Sequence, residues 1–220
     1  LPLTIYLADR LANRVTVRDV ALLGLVVAGT AANSIYWLAL AGLCLALTAA
    51  AAAATRRWTS AIAIAGGTAL GLGLAAPGLV PYLKVAAWGA TRPIEVVTQF
   101  SATPAGYLTS TSHVYRGWSA MFFRDDVNVL FAGAIAVTLA AIGAAMLWRT
   151  QRRRAIVLLA IAAIGVLLSF GPATAVYRWL YDWMLPLRGL RAAARFGFLY
   201  LIVVALLAGA GVAWLERRLT

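Results

Sequence analysis

Val127-Asn-Val-Leu-Phe-Ala-Gly-Ala-Ile-Ala-Val-Thr-Leu-Ala-Ala-Ile-Gly-Ala-Ala-Met-Leu-Trp148 is a run of 22 residues without a charge, flanked by Asp125-Asp126 and by Arg149. About 20 apolar residues are needed for a helix to cross a hydrocarbon core of about 30 Å. Asp125 and Asp126 are expected to cap the start of that helix, and Arg149 to close its end. That is the charge order the helix dipole favours.

Working outward, the same pattern recurs. Phe196 to Leu215 is another charge-free run, closed by Glu216, Arg217 and Arg218. Ala155 to Phe170 is shorter and stops at Gly171-Pro172; it can span if the arginines before it snorkel. Trp58 to Leu83 is uncharged too, and its helix is expected to end at Pro77 or Pro81. Within it Gly67 and Gly71 form a GxxxG pair, which lets a neighbouring helix come close. Val20 to Thr55 has 36 uncharged residues, too many for one perpendicular crossing. Two crossings joined near Ala31-Ala32-Asn33-Ser34 fit better, because Asn and Ser form turns and caps.

Composition agrees. Of 220 residues 63% are hydrophobic and 12% charged, with a mean hydropathy of +0.87. A soluble globular chain is about 45–50% apolar and about 25% charged. The sequence therefore predicts an all-α, polytopic transmembrane bundle of about six crossings, read as a single transmembrane domain over residues 1–220. Leu1 to Leu7 read as the tail of a helix, so the chain is taken as an internal or C-terminal fragment whose remainder is a partner.

The charge of +12 and a pI near 11.0 resemble a nucleic-acid footprint, but the basic residues sit at the edges of apolar runs, where membrane anchoring puts them. No nucleic-acid partner is expected. With six crossings the clusters Arg10/Arg14/Arg18, Arg56/Arg57, Arg149/Arg152/Arg153/Arg154 and Arg217/Arg218 share one side. They hold 11 of the 19 basic residues, and the positive-inside rule makes that side cytoplasmic. One lone cysteine, Cys44, and one histidine, His113, rule out a disulfide framework and the usual zinc sets. No phosphate loop, nucleophile elbow or cofactor motif is present. No acidic residue lies inside a confident span, which argues against a proton relay.

Two longer loops then lie outside, from Lys84 to Asp125 and from Gly171 to about Arg195, and loops on a rigid bundle carry function. In Leu185-Pro-Leu-Arg188-Gly-Leu-Arg191-Ala-Ala-Ala-Arg195-Phe, a helix starting near Gly189 would stack Arg191 and Arg195 on one face, with Arg188 at its start. Such guanidinium forks can hold a lipid phosphate; the plainer alternative is three arginines reaching headgroups. Thr174 to Met184 reads as a short helix lying in the membrane interface, with an Arg178–Asp182 pair. The first loop offers Glu95 and His113 as candidate acid–base groups and Tyr107 among aromatics suited to sugar stacking. Simple exposed-loop roles compete with each.

Three segments resemble bacterial polytopic proteins of the GT-C glycosyltransferase superfamily, including relatives of the YfhO group. They are Ala76-Pro77-Gly-Leu-Val-Pro81-Tyr82, Phe100-Ser101-Ala102-Thr103-Pro-Ala-Gly-Tyr107-Leu108 and Leu187-Arg188-Gly-Leu-Arg191-Ala-Ala-Ala-Arg195-Phe196. The resemblance implies a multi-pass protein of the bacterial inner membrane. It implies transfer of a sugar from a polyprenyl-phosphate carrier on the outer face, without a cofactor. It also implies that the catalytic acid lies upstream, so no catalytic residue is assigned. The alternative is a non-enzymatic transporter, flippase-like protein or scaffold for lipid-linked envelope precursors.

Overall fold

The computed structural model describes residues 1–88, 92–122 and 129–219, and every regular element among them is helical. The chain forms two compact units, Leu1–Ala90 and Thr91–Thr220.

The first unit contains α1 (Pro2–Asn13), α2 (Val17–Asn33), α3 (Ile35–Ala54) and α4 (Trp58–Ala87). Proline in the first turn of α1 costs nothing there, because that N–H has no helical acceptor. Thr16 caps α2 by accepting from the Asp19 N–H at 3.1 Å. The buried Asp19 carboxylate is held by the Arg10 guanidinium in a two-pronged pair of 3.1 and 3.2 Å. A single extended residue, Ser34, separates α2 from α3 and caps the second through the Tyr36 N–H. The expected break near Asn33 is therefore where the chain divides.

The GxxxG pair also does what its spacing implies. Gly67 abuts Leu23 and the Val20 carbonyl, and Gly71 abuts Val27 and the Gly24 carbonyl. Residue numbers rise together along both helices, so α2 and α4 run parallel, with the α3 leg returning between them in sequence. Between apolar helices in lipid no hydrophobic force remains, and close packing of small residues supplies the attraction. At the base of this unit the Arg57 guanidinium donates to the Ala12 carbonyl at 3.1 Å. That bond brings the Arg10–Arg18 stretch and Arg56/Arg57 to one end. Arg56 itself adopts a left-handed φ of 59° to end α3.

One expectation is corrected here. Helix α4 does not end at Pro77 or Pro81 but runs through both to Ala87. A full helix end would leave four carbonyls unbonded, whereas each internal proline frees only one, at Gly73 and at Pro77. In apolar surroundings the smaller loss wins.

The second unit begins with α5 (Ile94–Gln99), two 3-10 turns (Pro104–Leu108 and His113–Tyr115) and α6 (Arg116–Ser119). Then come α7 (Ala134–Thr150), α8 (Arg152–Ser169), a 3-10 turn at Gly171–Ala173, α9 (Ala175–Trp183), α10 (Leu185–Arg188), a 3-10 turn at Ala193–Phe196 and α11 (Gly197–Leu219). Helices α7 and α11 lie side by side in the same direction. Leu130 sits at Gly197 near their starts, and Gly143 meets Gly211 further along. Helix α8 opposes them, with Gly165 against Phe196 and Leu199.

Helix α7 begins later than its charge-free run predicts. Its N-cap is Gly133, at φ 93°; Asp125 and Asp126, the expected caps, lie outside the described residues. The chain from Leu130 to Phe131 is instead drawn into bonds with the Gly106 and Thr109 carbonyls. The six expected crossings fall on α2, α3, α4, α7, α8 and α11. Among the described residues three stretches are each long and apolar enough to cross a membrane: Ile35–Ala54, Trp58–Val85 and Ala193–Leu219. This is a membrane-embedded helical protein.

Candidate functional site

The helix mouths of the second unit are roofed by its own loops. The Ala102 N–H donates to the Ser169 carbonyl at 2.8 Å, and the Ala194 N–H to the Phe100 carbonyl at 3.0 Å. The Arg92 N–H donates to the Arg188 carbonyl at 2.8 Å, and the Tyr181 hydroxyl donates to the Arg92 carbonyl. Beneath these bonds Ala102, Leu130 and Ala194 form a small core, with Tyr107, Phe170, Phe198 and Leu201 packed against it. Gly171 turns the corner at φ 54°, where a side chain would strike the Ser101 hydroxyl and Ala193.

Tyr107 belongs to this frame. Its hydroxyl pairs with Ser169 Oγ at 2.7 Å. Its ring meets Phe170 and Tyr200 edge-on, at 5.9 and 5.4 Å. Burial pushes the phenol above its ordinary pKa; the Ser169 bond opposes that shift, and Tyr200 adds to it. Gly197 leaves the space that the hydroxyl occupies. Tyr107 is thus a pin between roof and helices, not an open stacking platform.

The three arginines separate into different tasks. Arg188 Nε donates to the Tyr181 carbonyl at 2.9 Å and Nη2 to the Asp182 carbonyl at 2.5 Å. Those carbonyls belong to the last turn of α9, which needs external donors. Arg191 is exposed, with its guanidinium 4.5 Å from the centre of the Phe100 ring. Arg195 is exposed on the 3-10 turn leading into α11.

The expected helix from Gly189 is not formed. Helix α10 ends at Arg188, and residues 190–192 are not helical. The Arg92 and Phe100 backbones recruit the Arg188 carbonyl and the Ala194 N–H, and Ala192, Ala193 and Ala194 are buried as a wedge. Arg191 and Arg195 therefore do not stack on one helical face.

Helix α9 has the expected place and character. Thr174 caps it through the Tyr177 N–H. Tyr177 is fully buried, whereas Trp179 and Trp183 are 60% and 76% exposed, a division that suits the membrane interface. Its expected internal pair does not form; Arg178 turns back to donate to the Pro172 carbonyl at 2.5 Å.

Glu95 is exposed on the first turn of α5, and His113 is exposed on its 3-10 turn. Among the described residues no hydrogen bond or ion pair joins Glu95, Tyr107 and His113 to one another. No group of three or more His, Cys, Asp or Glu able to hold a metal ion occurs among the described residues. His113 instead lines a pocket of about 250 Å³ with Ser110, Thr111, Ser112, Arg116, Ser119 and Ala120. Arg116 and the serines of that pocket were not singled out from the sequence, because their spacing matches no catalytic or phosphate-binding motif. No family model, no curated protein and no solved structure matches this chain.

Proposed function

We propose that this chain is part of a membrane glycosyltransferase of the bacterial inner membrane that takes a sugar from a polyprenyl-phosphate carrier at the outer face. The observation that carries the proposal is Arg191, exposed yet braced on Phe100 at the roofed mouth of the second unit. A guanidinium braced against a ring loses little freedom on binding an oxyanion. Arg195 follows on the next turn of chain. The interface-suited tryptophans of α9 would hold the mouth at headgroup depth, where a carrier phosphate lies. In this account Arg191 and Arg195 bind the phosphate, and Arg188 is a positioning residue that fixes the end of α9. No residue is assigned as the catalytic base.

The test uses full-length protein and a polyprenyl-phosphate sugar. Lysine at either position keeps the charge but loses the planar fork. A hydrogen bond to a charged group is worth about 1.5–3 kcal/mol, so Arg191→Lys and Arg195→Lys should each weaken carrier binding by about tenfold. Lysine snorkels as well as arginine, so headgroup anchoring predicts variants equal to the parent, and that result overturns the proposal. Carrier binding without sugar transfer would support the non-enzymatic reading instead.

A further inference from the structure

The pocket beside His113 has a built frame. The Ser110 N–H donates to Ser119 Oγ at 2.9 Å, and Ser119 is 4% exposed. The Ser112 N–H donates to Ser110 Oγ at 3.1 Å, closing the first arm on itself. Two bonds brace the arms from behind: Trp118 Nε1 donates to the Leu108 carbonyl at 2.9 Å, and the Ala134 N–H donates to the Tyr115 hydroxyl at 3.1 Å. These bonds fix the walls without using the Arg116 guanidinium or the His113 imidazole, and they use Ser110 and Ser119 only as acceptors.

Those facing groups share one chemistry. Among the described residues of the lining the ionisable side chains are His113 and Arg116, with no carboxylate beside them. Thr111 and Ser112 add hydroxyls, and Ser110 and Ser119, which accept from backbone N–H groups, keep their O–H donors to give. Among the described residues the Arg116 guanidinium and the His113 imidazole make no hydrogen bond or ion pair. Arg188 and Arg178 differ: both are committed to backbone carbonyls. A neutral sugar needs acceptors as well as donors and an aromatic face, and among the described residues the lining supplies neither a carboxylate nor a ring other than the imidazole. At about 250 Å³ the pocket is below the roughly 300–1,000 Å³ of drug-sized ligand sites.

We propose that the pocket between residues 110–113 and 116–120 binds a small phosphate-class anion, with Arg116 as its principal charge and His113 and the hydroxyls as further donors. The proposal is independent of the carrier reading: a chain that binds phosphate here and never handles a lipid-linked sugar satisfies it.

The experiment is calorimetric titration of the purified chain in phosphate-free detergent with inorganic phosphate. A second arm uses nanodiscs containing phosphatidic acid against nanodiscs of phosphatidylcholine alone. The variants are Arg116→Gln, His113→Gln, Ala120→Leu to fill the cavity without altering charge, and Arg14→Gln as a charge control in the other unit. Circular dichroism and melting monitor the fold. Phosphate should bind the parent and Arg14→Gln equally, and at least tenfold more weakly to Arg116→Gln and Ala120→Leu, with a smaller loss in His113→Gln. Binding seen only with phosphatidic acid, and lost in the same variants, supports the same site with the anion presented by lipid. Binding that is absent in both arms, or equal in all folded variants, overturns the proposal.

Discussion

The two units each pair two parallel helices through glycine, yet they do so at different depths. In the first, Gly24 faces the flexible end of Leu70, whose Cδ2 lies 2.8 Å from where a Cβ would stand. In the second, Gly143 faces the Leu207 carbonyl and the Gly211 backbone, and Gly211 in turn faces the Leu139 carbonyl. A side chain can move aside; a carbonyl inside a helix cannot. Gly24 therefore tolerates change that Gly143 does not, whereas Gly71, across the same first contact, meets the Gly24 carbonyl at 2.6 Å and is as intolerant as Gly143. In the second unit both glycines face backbone, and its helix mouths carry the roof, in line with loops being positioned by a fixed scaffold.

The largest effect should come from a methyl in the backbone contact. Gly143→Ala should destabilise the second unit by about 3 kcal/mol, at the upper end of overpacking costs. Gly24→Ala should cost no more than about 1 kcal/mol, since Leu70 can turn. Unfolding in mixed detergent–SDS micelles measures both, and equal costs would erase the distinction.

Next in size is Arg188→Gln, which leaves the Tyr181 and Asp182 carbonyls without their donor. The expected loss is about 2 kcal/mol, seen as faster hydrogen exchange through α9 and a lower melting temperature.

Tyr107→Phe comes third. It removes the bond to Ser169 Oγ and should cost about 1 kcal/mol near neutral pH. Because the folded phenol is raised above its unfolded pKa of about 10, its contribution is complete below pH 10 and fades as pH rises through the folded value. The parent should lose stability faster than Tyr107→Phe above pH 10.

The smallest effect, and of opposite sign, belongs to Gly66→Ala. Open space surrounds that position, so replacing glycine inside a helix should stabilise by about 0.5–1 kcal/mol.

What the sequence shows of this fold follows the range of the forces involved. Apolar runs and the Ser34 break are local, and each is readable within one or two turns of chain. The Gly67–Gly71 pair is also local, although its partner, α2, is not. Helix ends are less legible where tertiary bonds decide them. Leu130 and Phe131 leave the helical run because the Gly106 and Thr109 carbonyls hold them, and α4 passes Pro77 because its surroundings punish free carbonyls. The arginine triplet fails for the same reason. Its spacing is helical, but Arg92 and Phe100, about a hundred residues earlier, fix the backbone between Arg188 and Ala194. The pocket at His113 is invisible from spacing because the Ser110–Ser119 bond closes it.

The most direct test of the account is the sidedness of the roof in the second unit. In a Cys44→Ala background, Val114→Cys places a thiol at a position 86% exposed, and Gln151→Cys places one in the exposed turn between α7 and α8. An impermeant thiol reagent applied to intact cells should label the first and spare the second until the membrane is opened. Labelling of Gln151→Cys with protection of Val114→Cys would put the roof on the cytoplasmic side and contradict an outer-face site.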